Sequence, residues 1–231
     1  MDKPIPSHVG VIPDGTRRYA KMQGLDYKSS YTLGAKKVTE AVKWCFSSGV
    51  NEVSIFGLSY DNVLNRGDEV DAILDVQRVE FENWLKDSFF AENGVKIVFA
   101  GDLSLLPENF RATCKSLSDK TRGNSSKRLN ILLAYAGGLE ALAAARKLLG
   151  KLAPTNGSKI TQEELADALQ VPSNVDLVIR TGKRKRLSGF LPLQAQYAEI
   201  YFSNKLWPEF AKTDLDAAIR EWAVAVKTHG S

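Results

Sequence analysis

Six short apolar runs alternate with stretches of helical spacing along the chain, and this alternation restricts the possible folds more than any other feature. The runs are His8–Ile12, 53–58, Val95–Ala100, 129–135, 175–179 and 200–202. Each is short and bounded by turn residues, as strands buried on both faces are. Helical spacing is expected over 34–46, where Val38, Ala41, Val42 and Cys45 share a face before Gly49 ends it. It is expected again over 69–90, 107–117, 139–149 and 215–226. Thr161-Gln162-Glu163-Glu164 has the cap and acidic first turn of a further helix, and 151–159 reads as a loop. Strands alternating with helices predict an α/β fold, with a central, mostly parallel six-stranded sheet flanked by helices. No repeat or long linker divides the chain, so residues 1–231 read as one domain.

Composition excludes several classes of function. A net charge of +4 is too modest to require a nucleic acid, although it suits a small polyanion. Cys45 and Cys114 lack CxxC spacing or histidine partners and read as reduced, buried thiols. The N-terminus has no signal-peptide core, and the most apolar stretch, 129–145, is interrupted by Asn130 and Glu140. A cytoplasmic protein without a transmembrane segment is expected.

Candidate chemistry gathers at strand ends. The first strand breaks at Pro13, and Asp14-Gly15 turns into a helical pattern from Thr16. In an open parallel sheet, ligands bind at the carboxyl ends of strands, and free amides at a helix start attract phosphates. Asp14 offers a hard oxygen for Mg²⁺, while Arg17 and Arg18 add fixed positive charge. The alternative is an aspartate that only caps the helix, beside solvated arginines. The second strand ends at Ser59-Tyr60-Asp61-Asn62. The fifth runs into Arg180-Thr181-Gly182-Lys183-Arg184-Lys185-Arg186-Leu187-Ser188, five basic residues without an acid. Such a run could be a solvated loop or a nucleic-acid patch. Arginines with a serine and a flexible glycine suit a diphosphate better. Glu199, before the sixth strand, could join Asp14 on a metal.

Together, Asp14-Gly15, Ser59 to Asn62, Arg180-Thr181-Gly182, Arg186-Leu187-Ser188, Tyr197-Ala198-Glu199 and Leu206-Trp207-Pro208-Glu209-Phe210 resemble the cis-prenyltransferase family, whose best-known members make undecaprenyl diphosphate. The resemblance implies a hydrophobic tunnel, a homodimer and Mg²⁺-dependent condensation of an allylic diphosphate donor with a second isoprenoid diphosphate. It implies that Asp14 positions Mg²⁺ and assists departure of the donor diphosphate. Gly15, Thr16, Arg17 and Arg18 would cradle that diphosphate. Arg180, Arg186 and Ser188 would hold the acceptor diphosphate, and Glu199 would be the second metal-associated carboxylate. Ser59 and Asn62 would lie beside the reacting carbons. Ser59, Tyr31 or the acceptor's own diphosphate could take the departing proton.

The departures from the family pattern also carry information. Arg17 stands where regular members have glycine, and Tyr27 and Tyr31 replace an arginine and a histidine. Val63 and Asn65 replace a tryptophan and an arginine, with Arg66 displaced by one position. A Pro-Asp-Gly-x-Arg-Arg loop, Tyr31, and the segment from Phe190 to Leu193 resemble the irregular branch. Its members couple dimethylallyl or geranyl diphosphate with dimethylallyl diphosphate head to middle, giving lavandulyl-type products. Two other readings are a regular synthase elongating head to tail with isopentenyl diphosphate, and a silent subunit of a heteromeric prenyltransferase. Persistence of Asp14, Arg180, Arg186, Ser188 and Glu199 speaks against the second.

Overall fold

All six expected strands form one sheet, and every pairing in it is parallel. The computed structural model describes residues 4–150 and 159–228. The strands are β1 (His8–Ile12), β2 (Glu52–Ser59), β3 (Val95–Ala100), β4 (Lys127–Tyr135), β5 (Leu177–Arg180) and β6 (Glu199–Phe202), in spatial order β3-β4-β2-β1-β5-β6. The helices are α1 (Thr16–Gln23), α2 (Tyr27–Ser47), α3 (Tyr60–Asn65), α4 (Asp68–Trp84), α5 (Ser88–Glu92), α6 (Glu108–Thr121), α7 (Gly137–Leu149), α8 (Gln162–Ala168) and α9 (Lys212–Thr228). All but the last residue of the expected 151–159 loop lies outside the described residues.

Successive strand residues serve two cores because side chains alternate across a pleated sheet. Val9, Val11, Ile55, Leu129, Ile131, Leu133, Leu177 and Ile179 join a large cluster with α2, α4, α6 and α9. Ile12, Leu132 and Val178 face the other way, against Val171, Phe190, Leu191 and Ala195. Cys45 and Cys114 are unpaired and buried, and that burial pushes their thiols up to about 12.

Two helices differ from their expected limits for identifiable reasons. The Asp26 carboxylate accepts from the Ser29 amide at 2.8 Å, so α2 starts at Tyr27 although its first turns are polar. The run 69–90 is split in two. Asp87 accepts from the Phe89 amide and starts α5 after α4 has ended at Trp84.

Of the segment from Phe190 to Leu193, taken above as a mark of the irregular branch, Phe190 and Leu191 belong to the far-face core and Pro192 and Leu193 are exposed. Phe190 and Leu191 are fully buried. The Phe190 ring lies over Gly10, where an added Cβ would stand 2.6 Å from ring carbon Cε1, and its centroid is 5.6 Å from that of Phe56. The Phe56 ring also meets Tyr135 edge-on at 6.2 Å, and the Tyr135 hydroxyl donates to buried Glu140 at 2.6 Å. That carboxylate accepts further bonds from the amides of Gln170 and Val171 and from Gln194, so its burial is compensated. Gly10→Ala must displace the Phe190 ring. We expect a loss of about 1–3 kcal/mol in urea unfolding, as for other overpacked cores. A variant as stable as the parent would show that the ring can shift freely.

Candidate functional site

The site lies where the strand order turns back on itself, at the carboxyl end of β1. Ile12 is in register with Arg180, so the loops after β1 and β5 leave the sheet side by side. Thr181, fully buried, fixes their spacing. Its hydroxyl donates to the Asp14 carbonyl at 2.8 Å and accepts from the Asp14 amide at 2.9 Å. Gly15 has φ +112 and Gly182 φ +84, values in the left-handed range that glycine adopts readily. A Cβ on Gly182 would come within 2.6 Å of Arg18 Nη2 and 2.7 Å of the Asp14 carbonyl oxygen.

Asp14, 29% exposed at its side chain, does not cap α1; its carboxylate is taken by two arginines. One carboxylate oxygen accepts from Arg18 Nη2 at 2.8 Å and the other from Arg180 Nη2 at 2.8 Å. Arg18 also donates to the Gly182 carbonyl. Arg180, nearly buried, donates to Ser188 Oγ at 2.8 Å and to the Arg186 carbonyl, while its Nε has no partner among the described residues. Gly15 precedes α1 without a side-chain cap, so the first amides of α1 have no intrahelical acceptor and form an anion-binding end.

The cleft around this pair has a volume of about 880 Å³. Of the residues expected at the site, Asp14, Gly15, Thr16, Arg17, Arg18, Tyr31, Ser59, Asn62, Arg180, Arg186 and Ser188 all line it. Ser59 Oγ accepts from the Asn62 amide at 3.2 Å and caps α3, which holds both side chains at the rim. Glu199 is not brought beside Asp14 within the chain. It pairs with Leu177, which pairs with Val9, at the amino end of the strands. At about 3.3 Å per residue, it sits roughly 15 Å back along the sheet from Asp14. Residue spacing alone does not reveal this, because Glu199 begins its strand while Asp14 follows the end of its own.

The mouth contains a carboxylate that the sequence reading had placed only in a helix. Glu69, in the first turn of α4, accepts the Tyr31 hydroxyl and lies 3.5 Å from Arg17 Nε and 3.4 Å from Arg66 Nη1. Burial, then the hydrogen bond to Glu69, raises the Tyr31 hydroxyl above its ordinary value. Tyr31 is therefore a neutral phenol at neutral pH, not a phenolate base. The Arg17 guanidinium lies 5.7 Å from the Tyr27 ring centroid, over its face. An acidic residue at a helix start resembles any favourable helix end in sequence, so only packing of α4 against α2 exposes this role.

Tyr31, Thr16, Pro13, Phe56, Gly57 and Ile73 are shared between the cleft and a narrow slot of about 100 Å³ that runs between α2 and α4 over the sheet. The site thus joins a cationic bay to an apolar passage. This is the form expected for an amphiphile with an anionic head, and it supplies the expected hydrophobic tunnel at small scale.

No group of three or more histidine, cysteine or acidic side chains is placed to hold a metal among the described residues. Asp14 alone nevertheless fits Mg²⁺, which commonly takes one or two carboxylates and completes its shell with phosphate oxygens and water. A diphosphate drawing Arg18 and Arg180 away would free the Asp14 oxygens for such an ion.

Residues 12–230 match the family model described as putative undecaprenyl diphosphate synthase. The chain is 36% identical to a tritrans,polycis-undecaprenyl-diphosphate synthase (geranylgeranyl-diphosphate specific) of Archaeoglobus fulgidus, over 94% of this chain and 89% of that protein. It is 34% identical to an isoprenyl transferase of Thermus thermophilus, over 98% and 89%. Among solved structures, it superposes with a TM-score of 0.89 on lavandulyl diphosphate synthase from Lavandula x intermedia in complex with dimethylallyl diphosphate, at 26% identity over 96% of this chain and 97% of that one. A probable undecaprenyl diphosphate synthase from Campylobacter jejuni superposes with a TM-score of 0.78, at 28% identity over 96% of each chain.

Gly182→Ala adds a methyl group against Arg18 and the Asp14 carbonyl in a strained backbone conformation. We expect at least tenfold weaker binding of inorganic diphosphate by calorimetry, with unfolding free energy lowered by about 1–3 kcal/mol. Unchanged diphosphate affinity would separate the Asp14–Gly182 contact from anion binding.

Proposed function

This chain belongs to the undecaprenyl diphosphate synthase family and is a prenyl-transferring enzyme; within it, we propose head-to-middle coupling of dimethylallyl or geranyl diphosphate with dimethylallyl diphosphate. The observation that carries this reading is the mouth, where Tyr27 and Tyr31 stand in place of the arginine and histidine of regular members, Arg17 replaces a glycine, and Glu69 accepts the Tyr31 hydroxyl. The higher TM-score against the lavandulyl synthase supports the same branch. Regular elongation with isopentenyl diphosphate remains the second reading, favoured by the names of the sequence relatives.

In this reaction the donor's C1–O bond breaks and its electron pair leaves with diphosphate. The acceptor's double bond attacks C1, and the tertiary cation that results loses a proton to form a new double bond. Beside Asp14, Arg18 and the α1 amides offer fixed positive charge to the diphosphate as its charge develops. Mg²⁺, held by Asp14 and phosphate oxygens, would further neutralise the leaving group. Tyr27 and Tyr31, whose ring centroids are 6.4 Å apart, line the cleft, and the Tyr27 face already carries the Arg17 guanidinium. Arg180, Arg186 and Ser188 hold the acceptor diphosphate in this reading. The proton acceptor is Ser59 or the acceptor's diphosphate, since the Tyr31 proton is already committed to Glu69.

A homodimer accompanies this proposal. The outer strand β6 and the segment before it expose Leu193, Tyr197 and Ile200, and α7 exposes Leu139 and Leu142. Among the described residues, no helix is long and apolar enough to cross a membrane.

Incubation with Mg²⁺ and dimethylallyl diphosphate, alone or with geranyl diphosphate, should give a branched lavandulyl-type alcohol after dephosphorylation and mass spectrometry. A linear cis-prenol formed only with isopentenyl diphosphate would establish regular elongation instead. Asp14→Ala should nearly abolish turnover, and activity within a few-fold of the parent would remove Asp14 from the reaction. Arg186→Ala should raise the acceptor KM by an amount equivalent to about 1.5–3 kcal/mol, the worth of a charge-assisted contact, in steady-state kinetics.

A further inference from the structure

We propose that Trp207 is a positioning residue for prenyl transfer, a strut that holds the Asp14 loop at one end and the α2 wall of the slot at the other. This rests on the donor's diphosphate lying at Asp14 while its tail enters the slot. Trp207 belongs to the segment Leu206-Trp207-Pro208-Glu209-Phe210, which carries the family likeness but has no part in the chemistry described so far. It lines the slot and does not line the cleft.

The segment after β6 is tied to both loops of the cationic bay. The Gly182 amide donates to the Lys205 carbonyl at 2.7 Å, and the Trp207 amide donates to the Asp14 carbonyl at 3.1 Å. Leu206 lies so close to Gly15 that a Cβ there would stand 2.9 Å from Leu206 Cδ2. A tight turn over Trp207–Glu209 keeps this end stiff. Pro208 fixes one backbone angle, and the exposed Glu209 carboxylate accepts from the Leu206 amide at 2.8 Å.

The other end of the strut is the indole. Its N–H donates to the Gly34 carbonyl inside α2 at 2.9 Å, and its ring stacks on Phe210 with centroids 5.5 Å apart. A helical carbonyl has a second lone pair for this bond. Trp207 is 1% exposed, so breaking the bond would leave a buried donor unmet. The reach of one side chain therefore sets how far the slot wall stands from the Asp14 carbonyl. Such spacing matters to rate, since a misplacement of about 1 Å can cost about a hundredfold. Ser30 ties α2 separately to the Thr16 carbonyl at 3.0 Å. Loss of the indole bond should thus tilt the wall without taking the α1 amides from the bay.

The test measures kcat with geranyl diphosphate, and calorimetric affinity for inorganic diphosphate and for geranyl S-thiolodiphosphate, an unreactive donor analogue, all with Mg²⁺. Trp207→Phe keeps the backbone amide and most of the aromatic body and removes the N–H. Its kcat should fall at least tenfold and the analogue should bind at least fivefold more weakly, while inorganic diphosphate binds as in the parent. Glu209→Ala loosens the turn without touching cleft or slot and should also lower kcat at least fivefold. Glu209→Gln should restore it, because the amide oxygen can still accept from Leu206. A folded Trp207→Phe with parental kcat would overturn the strut. So would equal losses for both probes, the mark of a general structural defect, or a Glu209→Gln as impaired as Glu209→Ala. If Trp207→Phe does not fold, the Glu209 pair decides. A parent that binds both probes equally would overturn the strut together with its premise that the tail occupies the slot. Each kcat is taken with dimethylallyl and with isopentenyl diphosphate as acceptor. Branched or linear product then decides the coupling mode separately from the strut.

Discussion

The site depends on the parallel register between β1 and β5. Pairing Ile12 with Arg180 puts an acidic loop and a basic loop against each other, although 166 residues separate Asp14 from Arg180 in the chain. Neither loop is ordered by itself. Thr181 clips the Asp14 backbone in place, Gly182 lets the loops approach, and the Trp207 amide binds the Asp14 carbonyl from a third segment. The carboxylate and guanidinium are partly desolvated, so either partner left alone would be strongly disfavoured. Arg18 joins them as a second cation, so the group as a whole keeps a net positive charge.

Much of this was legible in the sequence because it depends on local signals. Short apolar runs alternating with helical spacing are enough to give the parallel sheet, and a strand end followed by Asp-Gly and arginines is enough to locate a phosphate site. Asp14, Arg18, Arg180 and Ser188 follow from that logic, since each lies at the carboxyl end of its strand or in the loop beyond it. Glu199 did not, because a mostly parallel sheet left the direction of the sixth strand open: an antiparallel β6 would begin beside the Asp14 loop, whereas β6 runs parallel and begins at the opposite end. Glu69 was missed for a related reason. A carboxylate in the first turn of a helix has a sufficient local explanation, and only the packing of α4 against α2 places it on Tyr31.

The fold divides labour between its two faces. On one, α2 and α4 leave a passage between them and are tied across it both at the mouth, by Tyr31 and Glu69, and deeper in, by Thr39 and Glu80. The same helices therefore provide both core and ligand wall. This explains why large apolar residues along α4, such as Ile73 and Phe81, belong to the main core and also line the slot. The charged chemistry is kept in the loops beyond the carboxyl ends of β1 and β5, where they can adapt without disturbing that packing.

Phe56 links the faces. The residue lines both cleft and slot, yet its ring rests on the opposite face against Phe190 and Tyr135, and Tyr135 is anchored to Glu140. Protein interiors are close-packed and deform little, so the floor can be no better defined than the packing beneath it. The surface that meets hydrocarbon is thus shaped partly from the opposite side of the sheet. Inheritance of substrate preference in such a chain must therefore include residues that no substrate ever reaches.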